Sequence, residues 1–235
     1  MPVKEYLEIE ETEKLEEAAV CVRDKLLIRL LRRLGCRVSE VLALGEDDID
    51  FAAQTVTIEH LKARINFSCP ECDARLGKTH TFCPKCGLKV EKAIAKELEH
   101  RRTRRIPIDS ETLDMVRYYL DQGGGVTVNG KKFLFGIKRK RAWQIFLECA
   151  RAAGLPDLVN PDSGIVHHVS PHKLRDAFAV NAVKIDDSGD GIRLLQEHLG
   201  HQGINTTMKY RKVAGEESRN WYDNLFKKKV NDNGT

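Results

Sequence analysis

The chain has 235 residues, of which 41% are hydrophobic and 31% charged, the composition of a globular protein that buries its core in one domain or two small ones. No apolar run approaches the roughly 20 residues of a membrane helix, and the acidic start MPVKEYLEIEETEKLEE excludes a signal peptide, so a cytoplasmic protein with no membrane partner is expected. A net charge of +4 is too mild to indicate a polyanionic partner by itself.

Apolar residues recur at helical spacing through 12–34, from Leu15 to Leu31, until Gly35 interrupts them. A second helical stretch runs from about Val38 to Gly45. Residues 55–61, TVTIEHL, are β-branched and partly alternating, which predicts a strand. After a polar, cysteine-bearing stretch over about 66–95, RRTRRIPID predicts the second strand of the same hairpin. Ser110 or Asp109 can cap a helix that runs to the Gly123-Gly124-Gly125 break, and another helix covers 139–153. Ser170-Pro171 marks a helix start, with a capping hydroxyl followed by proline at the first helical position. That helix runs to about Lys184, and further helices cover about 191–199, 203–213 and 216–229.

Charge is concentrated. Lys96, Arg101, Arg102, Arg104 and Arg105 fall within ten residues, and 138–141 reads KRKR. Either run suits a phosphate backbone, and either taken alone also suits a solvated face. Of the seven cysteines, Cys21, Cys36 and Cys149 sit singly in apolar helical stretches and are expected to be buried and inert. The other four form two C-P-x-C knuckles, Cys69 with Cys72 and Cys83 with Cys86, ten residues apart. Each knuckle presents two thiolates from one tight turn, so two knuckles complete a tetrahedron around a structural Zn²⁺ with no position left open. A redox dithiol is the alternative.

A helix beginning at Pro171 places His172 and Arg175 on one face of its first turn, beside the free N–H groups of the helix start. That arrangement suits a phosphoryl oxygen. Upstream stands Gly35-Cys36-Arg37-Val38-Ser39-Glu40, and downstream His198-Leu199-Gly200-His201 and Thr206-Thr207-Met208-Lys209-Tyr210. G-x-R-x-S-E, H-x-L-R, L-G-H and T-x-x-x-Y, in that order, resemble the catalytic domain of tyrosine recombinases of the integrase family, over about residues 6–213.

The resemblance implies an α+β, mostly helical, DNA breaking-rejoining domain over 1–235 with a small β-hairpin sheet; two departures from the family's pattern are expected, the zinc ribbon inserted at 66–95 and no N-terminal core-binding domain. It implies site-specific cleavage and rejoining of double-stranded DNA through a 3′-phosphotyrosyl intermediate, by a dimer or tetramer on DNA, in integration, excision or inversion. Residue by residue, Arg37 and Arg175 match the phosphate-binding arginines, His172 the proton acceptor, His201 a hydrogen-bond donor to the phosphate, and Tyr210 the nucleophile. Lys62 fits best as the general acid at the hairpin tip, ahead of Lys78 and Lys85. Glu40 is expected to support the fold or orient a neighbour, and His198 to be structural. Two arginine forks bind the phosphoryl oxygens bidentately, so the chemistry needs no metal. The phosphotyrosyl ester conserves bond energy, so it needs no ATP. Type IB topoisomerases share this chemistry, and a zinc-ribbon regulator on an inactive recombinase fold is the non-enzyme alternative.

Overall fold

The computed structural model describes residues 5–59, 64–77, 79–90, 94–98, 103–160 and 163–211. It divides into two compact units, residues 1–58 with 104–235, and residues 59–103. Lys62, Lys78 and the C-terminal helix expected over 216–229 lie outside the described residues.

The larger unit opens with α1 (Ile9–Glu17) and α2 (Val22–Leu34), two helices where the periodicity predicts one. The break lets α1 fold back onto α2 through ion pairs. Glu16 binds both Arg29 (2.6 Å) and Arg32 (2.9 Å), yet 13 residues of continuous helix would hold Glu16 about 20 Å from Arg29. Cys21, expected inside, is instead exposed, because it is the extended residue that caps α2. Gly35 ends α2 at φ +57°, and a Cβ there would lie 2.6 Å from the Phe178 ring, so both conformation and space require glycine. Next come α3 (Val38–Leu42), β1 (Ile49–Asp50) and β2 (Thr55–Glu59).

The chain then enters the smaller unit with β3 (Arg64–Ser68), β4 (Arg75–Leu76) and β5 (Ile94–Leu98), in the order β4-β3-β5 with antiparallel pairing. Its own small core gathers Cys69, Leu76 and Cys83 with Phe67, Ala74, Leu88 and Val90.

Strand β6 (Thr103–Pro107) places β2 at the centre of a sheet ordered β1-β2-β6. Asp109 caps α4 (Ser110–Asp121) by accepting from Thr112 N. A hairpin absent from the sequence reading follows, β7 (Val126–Val128) with β8 (Lys131–Phe133), turning on Asn129 and Gly130, both at positive φ. After α5 (Arg139–Ala152), a second short pair, β9 (Leu158–Val159) with β10 (Val166–His167), leads into α6 (Pro171–Ile185). The Ser170 hydroxyl makes no capping bond, contrary to expectation; its backbone carbonyl accepts from Lys173 N instead. Helices α7 (Gly189–Leu199) and α8 (Ile204–Arg211) complete the described chain.

Helix α6 joins two hydrophobic clusters. Leu174 and Ala177 belong to the main core with Leu27, Leu30, Leu31 and Phe146. Ala179 and Val183 belong to a smaller core with Ile192, Leu195 and Leu199, against which Tyr210 and Met208 pack. That second cluster sets where α8 carries its tyrosine. Among the described residues no helix is long and apolar enough to cross a membrane.

Candidate active site and metal centre

The larger unit brings five of the six residues proposed for the chemistry onto connected elements: Arg37 at the start of α3, His172 and Arg175 in the first turn of α6, His201 after α7, and Tyr210 on α8. The frame is made by helix ends. The C-termini of α2 and α7 converge, and their last carbonyls, which no helix can satisfy internally, are met by cationic or ring N–H donors. Arg175 donates to Gly35 O and to Leu199 O, both at 2.8 Å. Arg104 donates to His198 O at 2.8 Å, and His198 Nε2 donates to Leu34 O at 2.9 Å. The negative ends of two helix dipoles therefore surround Arg175, which is only 2% exposed. Burial first, and then the charge of Arg37, lower the Arg175 pKa.

Arg37 is held from below. Glu40 Oε1 accepts from its guanidinium at 2.9 Å, and Glu40 Oε2 accepts from its backbone N–H at 3.0 Å. The same carboxylate accepts from Arg104 Nη2 at 2.8 Å. Burial alone would push the Glu40 carboxyl up, but hydrogen bonds and charge from Arg104, then bonds from Arg37, reverse this and hold it at about 2. Glu40 thus orients a neighbour, as the sequence reading expected. Arg104, grouped by sequence with the clustered cations, is a half-buried strut. Its signal was available: β6 alternates, and Arg104 shares a face with the buried Ile106.

The tautomer of His201 follows from its partners. A guanidinium only donates, so His201 Nε2, 2.9 Å from Arg175 Nη2, must accept, and Nδ1–H must donate to Thr207 Oγ1 at 2.9 Å. Burial, then the charges of Arg175 and Arg37, lower His201 to about 4, so the ring is neutral near pH 7. Its Nε2 is thus committed to Arg175 here, where the sequence reading expected a bond to phosphate.

Tyr210 stacks near His201, with ring centroids 6.3 Å apart. Its hydroxyl donates to Asp176 Oδ1 at 3.1 Å. Burial, and then the Asp176 charge, raise the phenol above its ordinary range against the opposing charges of Arg175 and Arg37. His172, with 73% of its side chain exposed, has Nε2 3.9 Å from the same Asp176 oxygen. Asp176 escaped the sequence reading, although it stands one helical turn after His172.

The smaller unit holds the four cysteines. Their sulfur atoms all lie within 4.8 Å of one another, with Cys69 Sγ 3.6 Å from Cys86 Sγ and Cys72 Sγ 3.5 Å from Cys83 Sγ. A disulfide requires about 2.05 Å, whereas a zinc tetrahedron with Zn–S of about 2.3 Å has edges near 3.8 Å. The spacing therefore fits four thiolates sharing one cation. The two knuckles are near copies. Cys69 N donates to Ala74 O and Cys83 N to Leu88 O, while Asp73 N returns to Cys69 O and Gly87 N to Cys83 O. Asp73 (φ +53°) and Gly87 (φ +72°) take the same left-handed position. Lys85, which with Lys78 is a poorer candidate than Lys62 for the general acid, lies in the second knuckle and its backbone N–H donates to Cys83 Sγ at 3.4 Å.

Comparison with known proteins adds three findings. The model of the phage integrase family matches residues 84–217. Tyrosine recombinase XerC of Staphylococcus aureus (strain MSSA476) is 28% identical over 220 residues, covering 94% of this chain and 59% of its own length, so the chain spans about three fifths of that relative. Among solved structures, XerA recombinase matches with a TM-score of 0.61 at 21% identity, over 96% of this chain and 64% of its own. XerH site-specific recombinase bound to palindromic difH substrate, a post-cleavage complex, matches with a TM-score of 0.62 at 18% identity, over 94% and 53%. These two share the integrase catalytic-domain fold with this chain.

Proposed function

The chain belongs to the phage integrase family, and on that premise we propose that it is a site-specific recombinase that cleaves and rejoins double-stranded DNA through a 3′-phosphotyrosyl intermediate at Tyr210. The observation that supports this most is the convergence of two arginines on the surroundings of one tyrosine. Arg175 Nη2 lies 2.9 Å from His201 Nε2, whose ring stacks with Tyr210 at 6.3 Å between centroids, and the charges of Arg175 and Arg37 both favour the ionised phenol.

The chemistry runs as follows. Arg37 and Arg175 bind the non-bridging oxygens and offset the charge that gathers on them as the phosphorus becomes five-coordinate. Arg175 is preorganised by two helix ends and Arg37 by Glu40, so little reorganisation accompanies the reaction. Tyr210 Oη attacks phosphorus and loses its proton toward His172, while the 5′-oxygen leaves with a proton from Lys62. Rejoining is the reverse, with a new 5′-hydroxyl displacing the tyrosine, so no ATP enters. Cutting and exchanging strands between two duplexes requires more than one such site, which calls for a dimer or tetramer on DNA.

Cys69, Cys72, Cys83 and Cys86 would hold a structural Zn²⁺ within an inserted ribbon over 66–95. The metal's part is to fix a segment with a small core of its own, since metal binding supplies folding free energy.

The testing experiment incubates the full chain with nicked suicide duplexes tiled across the flanks of its own gene, in EDTA too brief or dilute to strip the ribbon. A protein–DNA adduct that survives denaturation is expected. An absolute requirement for added Mg²⁺ would point to a different nuclease mechanism.

A further inference from the structure

The proton of Tyr210 already has an acceptor in hydrogen-bond contact, and it is not His172. The phenolic hydroxyl donates to Asp176 Oδ1 at 3.1 Å, and that oxygen lies 3.9 Å from His172 Nε2. One carboxylate oxygen thus stands between nucleophile and imidazole. We propose, resting on the recombinase reading above, that Asp176 is a catalytic residue, taking the Tyr210 proton during attack and passing it to His172.

Electrostatics explain why a base in contact is needed. Facing the phenol and the carboxylate are Arg175, Lys173 and His172 from α6, Arg37 from the start of α3, and His201 after α7. Despite the two arginines, burial and Asp176 keep the phenol protonated. A phenol protonated near neutral pH loses its proton while the bond to phosphorus forms. The group that accepts its hydrogen bond is the one placed to take it. A carboxylate is ordinarily a weaker base than an imidazole, which makes His172, open to solvent, the natural end of the relay. The balance is simple. The Oη–P bond forms, the P–O5′ bond breaks, the phenolic proton moves to Asp176 Oδ1 and then to His172 Nε2, and the 5′-oxygen takes its proton from a separate donor.

Helix geometry places the carboxylate. Asp176 follows Arg175 on α6 and sits one turn after His172, and Lys173 Nζ lies 3.8 Å from its other oxygen. That leaves Oδ1 for the phenol and the imidazole.

The test is single-turnover cleavage of a nicked suicide duplex by the full chain at saturating protein, followed as a function of pH. Asp176→Asn keeps the shape and an oxygen acceptor but cannot take a proton. Its rate should fall by about 10²–10³-fold, with duplex affinity retained and the rate recovering toward alkaline pH. Asp176→Glu should stay within about 10-fold of wild type, which separates lost basicity from lost folding. A 5′-phosphorothiolate duplex, whose thiolate leaves unprotonated, should rescue Lys62→Ala and leave Asp176→Asn slow. An Asp176→Asn protein as fast as wild type, or faster, would make the carboxylate a resting place for the hydroxyl and overturn the proposal. So would rescue of Asp176→Asn by the thio substrate. Absence of any adduct with wild type would instead overturn the recombinase reading, and this one with it.

Discussion

Glu40 and Arg104 form the strut on which Arg37 rests, and cutting it should cost more than any surface ion pair. The Glu40 side chain is 1% exposed and that of Arg104 14%, with 2.8 Å between Oε2 and Nη2. The carboxyl is held from its ordinary 4.5 down to about 2, a drop worth about 3 kcal/mol at roughly 1.4 kcal/mol per pH unit. Removing one partner of a buried pair costs about 3–5 kcal/mol, because the other charge is left behind. Arg104→Met also strips the donor from His198 O and the contact with Cys36 Sγ, so it belongs at the upper end of that range. Glu40→Gln keeps some hydrogen bonding to both arginines and belongs at the lower end. For a chain of this size, 3 kcal/mol lowers Tm by about 6–12 °C. The double variant should be less destabilised than the sum of the singles by about 2 kcal/mol, since the second change removes a charge already unpaired. Urea unfolding of the four proteins, followed by circular dichroism with slopes compared, measures this coupling. Singles costing under about 1 kcal/mol, or additivity within about 0.5 kcal/mol, would refute the idea that the pair carries Arg37.

Stability should also fall with acidification in two stages. His201 and His198 are held below 6.5 chiefly by burial, His201 at about 4, so the unfolded chain binds protons first and stability drops as pH falls from 6.5 toward 4. Glu40 is depressed, so its contribution is full above 4.5 and is lost as pH falls toward 2; unfolding curves that stay flat from pH 7 to 4 would contradict the histidine assignments. Gly35→Ala combines a left-handed φ with a Cβ 2.6 Å from Phe178 and should cost about 1–3 kcal/mol, read by the same unfolding assay. Purified protein should carry one zinc per chain by elemental analysis, and Cys72→Ser or Cys86→Ser should lose it; two disulfides by mass spectrometry, with no metal, would restore the redox-dithiol reading.

Much of this fold is legible in the sequence where local chemistry is strong. Asp109 and Pro171 announce α4 and α6, Gly35 and Gly200 close α2 and α7 in the left-handed conformation, and the hairpin strands β2 and β6 stand where their β-branched runs fall. The β7–β8 hairpin carries a plain signal, the β-branched run Val126-Thr127-Val128 followed by Asn129-Gly130, a pair suited to a turn with both residues at positive φ. The break between α1 and α2 shows itself in contacts between residues 13 and 16 apart, Glu16 with Arg29 and Arg32, which apolar periodicity does not register. The site was legible as a set of motifs, and its supports were not. Arg104 reads as one cation among many until the alternation of β6 is applied, and Asp176 matters only once α8 brings Tyr210 against α6.

Tyr210 should supply the oxygen of the covalent bond to DNA, and peptide mapping of the adduct reads this out. The adduct from a nicked suicide duplex would be digested with nuclease and protease and the modified peptide sequenced by mass spectrometry, beside Tyr210→Phe, which gives up one hydrogen bond to the Asp176 carboxylate and should lose no more than about 3 kcal/mol of stability. A phosphodeoxynucleotide is expected on Tyr210 alone, with no adduct from the folded Phe variant. An adduct on any other residue, or one that persists in Tyr210→Phe, would contradict it.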